Sequence, residues 1–381
     1  MKILHVVADC NPAMGGVSEG VLRLGEGYRA LGHEQHLLTL DRPGDPWVVA
    51  HPSPIAAMGS GGIGDRVYPR RAIAWLQANA SQYDGIIVDG LWNAATLTAR
   101  LALPGSASAY AVFPHGMLDP WFRQLQPVKE RVKRLAFRAN EGPLLRAARA
   151  VLFTSEQERV LARESWPGWR GITEKVVGFG AGEPPQLFHV SGAKSGPMPA
   201  IFEGQPYLLF MSRIHPKKGL DILLQAYAAS RAAHTHRLVI AGPGDPAYID
   251  RLVQQARCLG IADRIHWPGM VTGGTKWQLL RDCAALTLVS HQENFGVVVA
   301  EACACGTPVI VSDQVNIHAD IAAASAGLVC SPAPRSASAA LDRFVRSSEG
   351  ERAAMAKNAR QLYEDRYAMT SVARRVLEIF Q

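Results

Sequence analysis

The feature that most constrains this chain is an alternation that runs through it from end to end. Short apolar runs recur: KILHVVA (2–8), HLLTL (36–40), GIIVDG (85–90), AYAVF (109–113), VLFTS (151–155) and KVVGFG (175–180) in the first half. YLLFMS (207–212), RLVIAG (237–242), RIHWPG (264–269), LTLVS (286–290) and TPVIVS (307–312) follow in the second. Glycine, proline or polar residues bound each run, and helical patterns of roughly ten residues or more lie between them. Runs this short and this apolar are strands covered on both faces, so the alternation implies βαβ units and parallel sheets. The fold class is therefore α/β.

At 381 residues the chain exceeds what one core accommodates, which implies two domains. The stretch AGEPPQLFHVSGAKSGPMPAIFEGQP (181–206) has a linker's composition and separates two doubly wound halves. The expected domains are 1–185 and 200–362, and the final stretch, GERAAMAKNARQLYEDRYAMTSVARRVLEIF, reads as two helices. In open α/β sheets, ligands bind beyond the carboxyl ends of the strands, so the strand-end loops are where function is sought.

Composition narrows the partners. A charged fraction of 19% against 48% hydrophobic excludes a disordered chain. No apolar run is long enough to span a bilayer, and MKILHVVADCNP lacks a signal-peptide cleavage pattern. Six cysteines without a CxxC pair imply reduced thiols and a cytoplasmic protein. The net charge of +7 favours an anionic partner: a phosphorylated substrate, a membrane surface or a nucleic acid.

Five stretches carry candidate chemistry. In NPAMGGVSEG (11–20), Gly15 and Gly16 uncover backbone N–H groups at the start of a helix, where the dipole favours an anion. The same glycines fit a plain βα turn, and the spacing is not that of a dinucleotide fingerprint. In MSRIHPKKGLDILLQAYA (211–228), Arg213 leaves a strand and Lys218 stands just before a helix. Two cations there can grip a diphosphate, with Lys217 read as a surface lysine. In HQENFGVVVAEACACGTPVIVS (291–312), Glu293 lies in a loop and Glu301 about a turn into an apolar helix. A carboxylate between Ala300 and Ala302 needs a hydrogen-bond partner, which sugar hydroxyls could supply.

In AVFPHGMLDPWF (111–122), His115 follows a strand; its chemistry allows a structural or a functional role, and Asp119 suits a turn or cap. From Phe113 to Ala150 there are eight Lys/Arg against three Asp/Glu, a net of +5. Val128, Val132, Leu135 and Ala139 form a helical apolar stripe among these charges. Two readings stand: a helix on an anionic membrane surface through 123–149, or an ordinary helix with one buried face. The basic stretch has neither a nucleic-acid motif nor interleaved aromatics, so no nucleic acid is expected.

Together these residues resemble the retaining glycosyltransferases of family 4, which have the GT-B architecture: two Rossmann-like domains of doubly wound parallel sheet facing across a cleft. ENFGVVVAEACACGTPVI resembles that family's signature of two glutamates with seven residues between them, RIHPKKGLDILLQAY its diphosphate segment, and AGPGDP its loop near the nucleoside. HGMLDPW with LFTSEQE is similar to bacterial enzymes that assemble exopolysaccharide or lipopolysaccharide units.

The resemblance implies roles. Glu293 would hold donor-sugar hydroxyls, with the backbone of Asn294, Phe295 and Gly296 close to the sugar and phosphates. Glu301 would bind the ribose, and Arg213 and Lys218 would neutralise the diphosphate. Gly16, with Gly15 beside it, would approach the β-phosphate, and His115 the transferred sugar. Gly242, Met270 and Val271 would line the nucleoside pocket. The family's final helix returns to the N-terminal, acceptor-binding domain, which would suit 363–381. A UDP- or GDP-sugar donor is implied, with a glycan or polyprenyl-diphosphate-linked saccharide as acceptor. Neither metal nor cofactor is implied, and the location would be cytoplasmic, peripheral on the inner membrane face. The loop GFGAGEPPQLF departs from the family's Asn-Gly-Val-Asp-like pattern, and nothing is carried over there. Outside this reading stand a nucleotide-sugar epimerase or hydrolase on the same fold and a non-catalytic membrane-surface module.

Overall fold

The computed structural model describes residues 1–59, 68–120, 127–166, 168–185 and 204–381, with the backbone alone at Met14 and at 127–130. It divides into two units, Met1–Gly180 with Met369–Gln381, and Ala181–Ala368. Most of the expected linker, 186–203, lies outside the described residues, as does Arg123.

The first unit is built on a parallel sheet of seven strands: β1 (Lys2–Val6), β2 (Glu34–Thr39), β3 (Ile55–Ala57), β4 (Gly85–Asp89), β5 (Tyr110–Phe113), β6 (Ala150–Phe153) and β7 (Glu174–Val176). Their order is β3-β2-β1-β4-β5-β6-β7, which switches direction between β1 and β4. A doubly wound sheet opens its binding crevice at such a point. Helix α1 (Gly16–Ala30) follows β1, α2 (Ala94–Ala102) follows β4, α3 (Pro127–Ala136) follows β5 and α4 (Glu156–Ser165) follows β6. The β1, β4, β5 and β6 runs are apolar and almost wholly buried, so each face of the sheet packs its own core.

The second unit repeats the plan with six parallel strands in the order β10-β9-β8-β11-β12-β13. These are β8 (Tyr207–Met211), β9 (Arg237–Ala241), β10 (Ile265–Gly269), β11 (Ala285–Leu288), β12 (Val309–Ser312) and β13 (Gly327–Cys330). Helices α5 (Leu220–Ala228), α6 (Gly273–Asp282) and α7 (Val297–Ala304) follow β8, β10 and β11, and α8 (Glu349–Leu362) closes the unit.

The last helix, α9 (Met369–Leu377), packs on α1 within the first unit. The returning segment begins at Met369, later than the expected 363, because residues 363–368 are tied to the start of the second unit. The Ala181 N–H donates to the Tyr367 carbonyl at 2.9 Å, and the Tyr363 hydroxyl donates to the Ala181 carbonyl at 3.1 Å. The final stretch forms the two helices expected, α8 and α9, separated by a π-helical turn at Tyr363–Tyr367. Among the described residues no helix is long and apolar enough to cross a membrane.

The stripe side chains from Val132 onward are not buried. Val132 and Leu135 are 64% and 70% exposed, and Ala139 is exposed as well. The bland expectation, one buried face, is corrected here: the chain turns inward one residue later, at Phe137, within a π-helical turn (Phe137–Glu141).

Candidate functional site

In the second unit the site grows from three strand-end loops. After β8 the chain passes Arg213, which is exposed and forms no ion pair among the described residues, and enters a 3-10 turn at Pro216–Lys218. The His215 imidazole caps that turn by accepting from the Lys217 N–H at 3.2 Å. Gly219 then turns into α5 at φ +66°, where an added Cβ would lie 2.1 Å from the Val289 carbonyl oxygen. Glycine is required because the β8 and β11 loops touch there.

The closeness of these loops sets the main interaction. Lys218, 8% exposed, forms an ion pair through Nζ with Oε2 of Glu293 in the loop after β11. Glu293 is pinned on its backbone as well: its N–H donates to the Gln314 carbonyl at 2.9 Å, and its carbonyl accepts from the Asn316 N–H at 3.0 Å. Gly296, at φ +77°, caps α7 beside it. Phe295 is a core residue, edge-on to Tyr367, so the Asn294–Gly296 segment offers its backbone rather than the ring.

Glu301 lies one turn into α7, 6% exposed, and the structure supplies its partner from the protein. Lys276 of α6 donates from Nζ to Oε1 at 2.5 Å. The partner the sequence calls for is thus provided in part by the protein itself. No spacing signals the pair, because the two residues meet only when α6 and α7 pack side by side.

The loops after β9 and β10 are joined at Gly242, whose N–H donates to the Gly269 carbonyl at 2.8 Å. Its φ is +141°, and an added Cβ would fall 1.9 Å from the Ser212 carbonyl oxygen. Met270, 69% exposed, and Val271, half-buried, follow directly. Beside Arg213 lies a cavity of about 520 Å³, lined by His215, Pro243, Asp245 and Tyr248 among others.

The first unit holds a second constellation. Gly15, at φ +95°, caps α1, and Gly15 and Gly16 are both exposed at the helix's amino end. His115, at φ +50°, follows β5, and its Nε2 is 2.8 Å from Oδ1 of Asp89 at the end of β4. The other Asp89 oxygen is 2.7 Å from Nδ1 of His5 in β1, so one buried carboxylate joins two imidazoles. Burial pushes the Asp89 carboxyl up, but the two imidazoles outweigh it and hold it below the ordinary value. The His115 ring stacks on Phe113, and its Nδ1 is buried without a hydrogen-bond partner among the described residues.

The turn after His115 is anchored by Glu158 of α4. This carboxylate accepts from the Gly116 N–H at 2.7 Å, the Thr154 N–H at 2.8 Å and the Thr154 hydroxyl at 2.5 Å. Burial raises its pKa, only partly offset by those donors. His5, Asp89 and Glu158 escaped sequence reasoning. The available signals were a histidine inside a buried strand and an apolar strand ending in aspartate.

Doubly wound units whose strand-end loops gather cations, carboxylates and open helix termini define proteins that hold phosphorylated ligands. Residues 197–362 match the family of glycosyl transferases group 1, and residues 15–172 match the glycosyl transferase 4-like domain. The chain belongs to the glycosyltransferase families of GT-B architecture.

An uncharacterised glycosyltransferase of Methanocaldococcus jannaschii is 30% identical over 183 residues, 48% of this chain and 46% of that protein. A D-inositol 3-phosphate glycosyltransferase of Actinosynnema mirum is 38% identical over 113 residues, 28% of this chain and 27% of that protein. The match thus spans less than half the length of these relatives. Among solved structures, sucrose-phosphate synthase of Thermosynechococcus elongatus aligns with a TM-score of 0.77 at 20% identity, covering 100% of this chain and 98% of that one. Anabaena HepE in complex with UDP aligns at 0.77 with 19% identity, covering 99% of each chain. WaaG, a glycosyltransferase involved in lipopolysaccharide biosynthesis, aligns at 0.63 with 18% identity and full coverage of both. At these identities the likeness concerns the fold.

Proposed function

We propose that this chain is a retaining glycosyltransferase of family 4 that moves a sugar from a UDP- or GDP-sugar to a hydroxyl of a glycan or polyprenyl-diphosphate-linked saccharide. The observation that carries the reading is the grouping of Arg213, Lys218 and Glu293 at the carboxyl ends of β8 and β11. Arg213 stands exposed beside a lysine already paired to a carboxylate, so a cation is left over for an incoming diphosphate.

The chemistry follows from that arrangement. The bond between the anomeric carbon and the β-phosphate oxygen breaks, its electron pair leaves with the diphosphate, and the sugar becomes oxocarbenium-like. Arg213 and Lys218 stabilise the charge growing on the diphosphate, the electrostatic form of catalysis. Glu293 holds sugar hydroxyls while keeping Lys218 in place. The acceptor oxygen forms its bond on the face the diphosphate leaves, and its proton passes to a diphosphate oxygen, so configuration is retained. Glu301, with Lys276, holds the ribose. Gly242, Met270 and Val271 border the nucleoside, the Gly15–Gly16 amides meet the β-phosphate, and His115, steadied by Asp89, faces the transferred sugar. Protein cations do the work of a metal, so none is required. HepE, described in complex with UDP and with UDP-glucose, supports the donor class. WaaG's involvement in lipopolysaccharide biosynthesis supports a role in bacterial surface polysaccharides.

The test is a melting-temperature screen against UDP, GDP and ADP and their sugars, followed by product analysis with and without a saccharide acceptor. Stabilisation by one nucleotide and acceptor-dependent transfer that survives EDTA are expected. Turnover without acceptor would favour the hydrolase or epimerase reading, and loss of activity in EDTA would overturn metal independence.

A peripheral membrane contact is favoured by one observation. On α3, Val132 and Leu135 are exposed among Arg131, Arg134 and Arg138, as an interfacial helix requires. Sedimentation with phosphatidylglycerol vesicles at low salt, but not with phosphatidylcholine vesicles, is expected. No sedimentation with either would remove the membrane from the reading.

A further inference from the structure

The first unit contains a cavity of about 430 Å³ that the transfer chemistry does not use. It lies between the amino end of α2 and the helical face running from α3 into the π-turn, and Trp92, Leu97, Lys133, Ala136, Asn140 and Glu141 line it. Its volume is within the range of small-molecule sites, about 300–1,000 Å³, and far above the roughly 30 Å³ of one water.

Two buried polar atoms at this cavity have no hydrogen-bond partner among the described residues: Nε1 of Trp92 and Oε2 of Glu141. Such orphans are uncommon because each costs the full desolvation of its group. The surroundings keep them in place. Trp92 is one of few non-glycine residues with positive φ, at 55°. Its ring packs against Trp166 on one side and under the Lys133 ammonium, 4.5 Å from the ring centroid. Glu141 ends a π-helical turn, a distortion found often at functional positions. Its Oε1 accepts from the Trp92 N–H at 3.2 Å and from the Asn140 amide at 3.1 Å, which leaves Oε2 unused. Burial raises the pKa of this carboxyl, with the Asn140 contact pulling it back.

The pair of orphans defines the missing group. An indole N–H only donates and an ionised carboxylate only accepts, so the first needs an acceptor and the second a donor. A hydroxyl can serve as either. Lys133 is engaged on the indole face, which leaves the cavity without a cation committed to phosphate. The apolar walls from Leu97 and Ala136, with the Asn140 amide beside them, suit a ring that has C–H faces and hydroxyl edges.

We propose that this cavity is a subsite for one sugar ring of the acceptor, with ring oxygens partnering Trp92 Nε1 and Glu141 Oε2. The assignment rests on the transferase reading only in calling that sugar an acceptor. Its place on the helix whose apolar residues are exposed suits a saccharide presented at a membrane surface.

Saturation-transfer NMR on the full chain tests it with methyl β-D-glucopyranoside, methyl β-D-galactopyranoside and methyl α-L-rhamnopyranoside. At least one should bind saturably. Trp92→Phe and Glu141→Gln should each weaken that binding by about tenfold, the loss of one hydrogen bond. Leu97→Trp, which projects a bulky ring into the cavity and keeps both polar groups, should abolish it. No saturable binding by any of the three, or wild-type binding in all three variants, overturns the subsite. Nucleotide stabilisation of the wild-type protein separates the two ideas. Glycoside binding without stabilisation by UDP, GDP or ADP keeps the subsite and sinks the transferase reading; stabilisation by one of these nucleotides without glycoside binding does the reverse.

Discussion

Lys218 and Glu293, 75 residues apart in the chain, meet as an ion pair at the carboxyl ends of β8 and β11. Both side chains are largely buried, 11% and 16% exposed, so neither is a free surface charge. The pair fixes the distance between the two loops that carry the proposed donor site. Removing one partner strands the other, which costs about 3 kcal/mol at a buried site. Lys218→Met and Glu293→Gln should each lower stability in urea, and the double variant should lose clearly less than the sum. A coupling of about 1 kcal/mol or more is expected. Strict additivity would show that the pair does not organise the loops.

Arg213 behaves oppositely. It is exposed and has no ion-pair partner among the described residues, so Arg213→Ala should leave the urea midpoint within about 0.5 kcal/mol of wild type. Its proposed role on the departing diphosphate predicts a fall in turnover of roughly 10²–10³-fold. A wild-type rate in a well-folded variant would remove Arg213 from the mechanism.

The contrast between these cations shows what the sequence could and could not reveal. Both strand-end positions were legible, because β8 and β11 are uninterrupted apolar runs whose ends are marked by Arg213 and by Glu293 and Gly296. The edge strands β3 and β13 were not, as both lie at a sheet margin and are only partly buried, without the continuous apolar burial of the inner strands. Partners were hidden for a different reason. Lys276 meets Glu301, and His5 meets Asp89, only through tertiary packing, and neither pair has a sequence spacing that signals contact. The outward stripe of α3 was legible as amphipathic, but which side faced the core depended on the π-turn at Phe137–Glu141.

Two glycines separate conformational need from ligand need. Gly242 has φ +141° and no room for a Cβ, so Gly242→Ala should destabilise by at least about 3 kcal/mol, through strain and a backbone clash together. At Gly16 an added Cβ meets nothing within 4 Å. Gly16→Ala should therefore keep wild-type stability or gain up to about 1 kcal/mol at the first residue of α1. If the amide there approaches the donor's phosphate, the same variant should raise the donor KM several-fold. An unchanged KM would place the donor elsewhere.

Asp89 and Glu158 support the same His115 loop with opposite pH signatures. Asp89 has a folded pKa below its unfolded one, because His5 and His115 outweigh its burial. Its contribution is complete above the ordinary carboxylate value near 4 and is lost as pH falls through the lower folded value. Glu158 has a folded pKa above the ordinary glutamate value, because burial outweighs its donors. Its contribution is complete below the unfolded value and is lost as pH rises through the folded one. Urea midpoints measured from about pH 3 to 7 should therefore respond differently to the two variants. Asp89→Asn should flatten the acid limb below about pH 4, whereas Glu158→Gln should flatten the decline above about 4.5. An acid limb unchanged in Asp89→Asn would mean that the two imidazoles do not hold this carboxylate in its charged form.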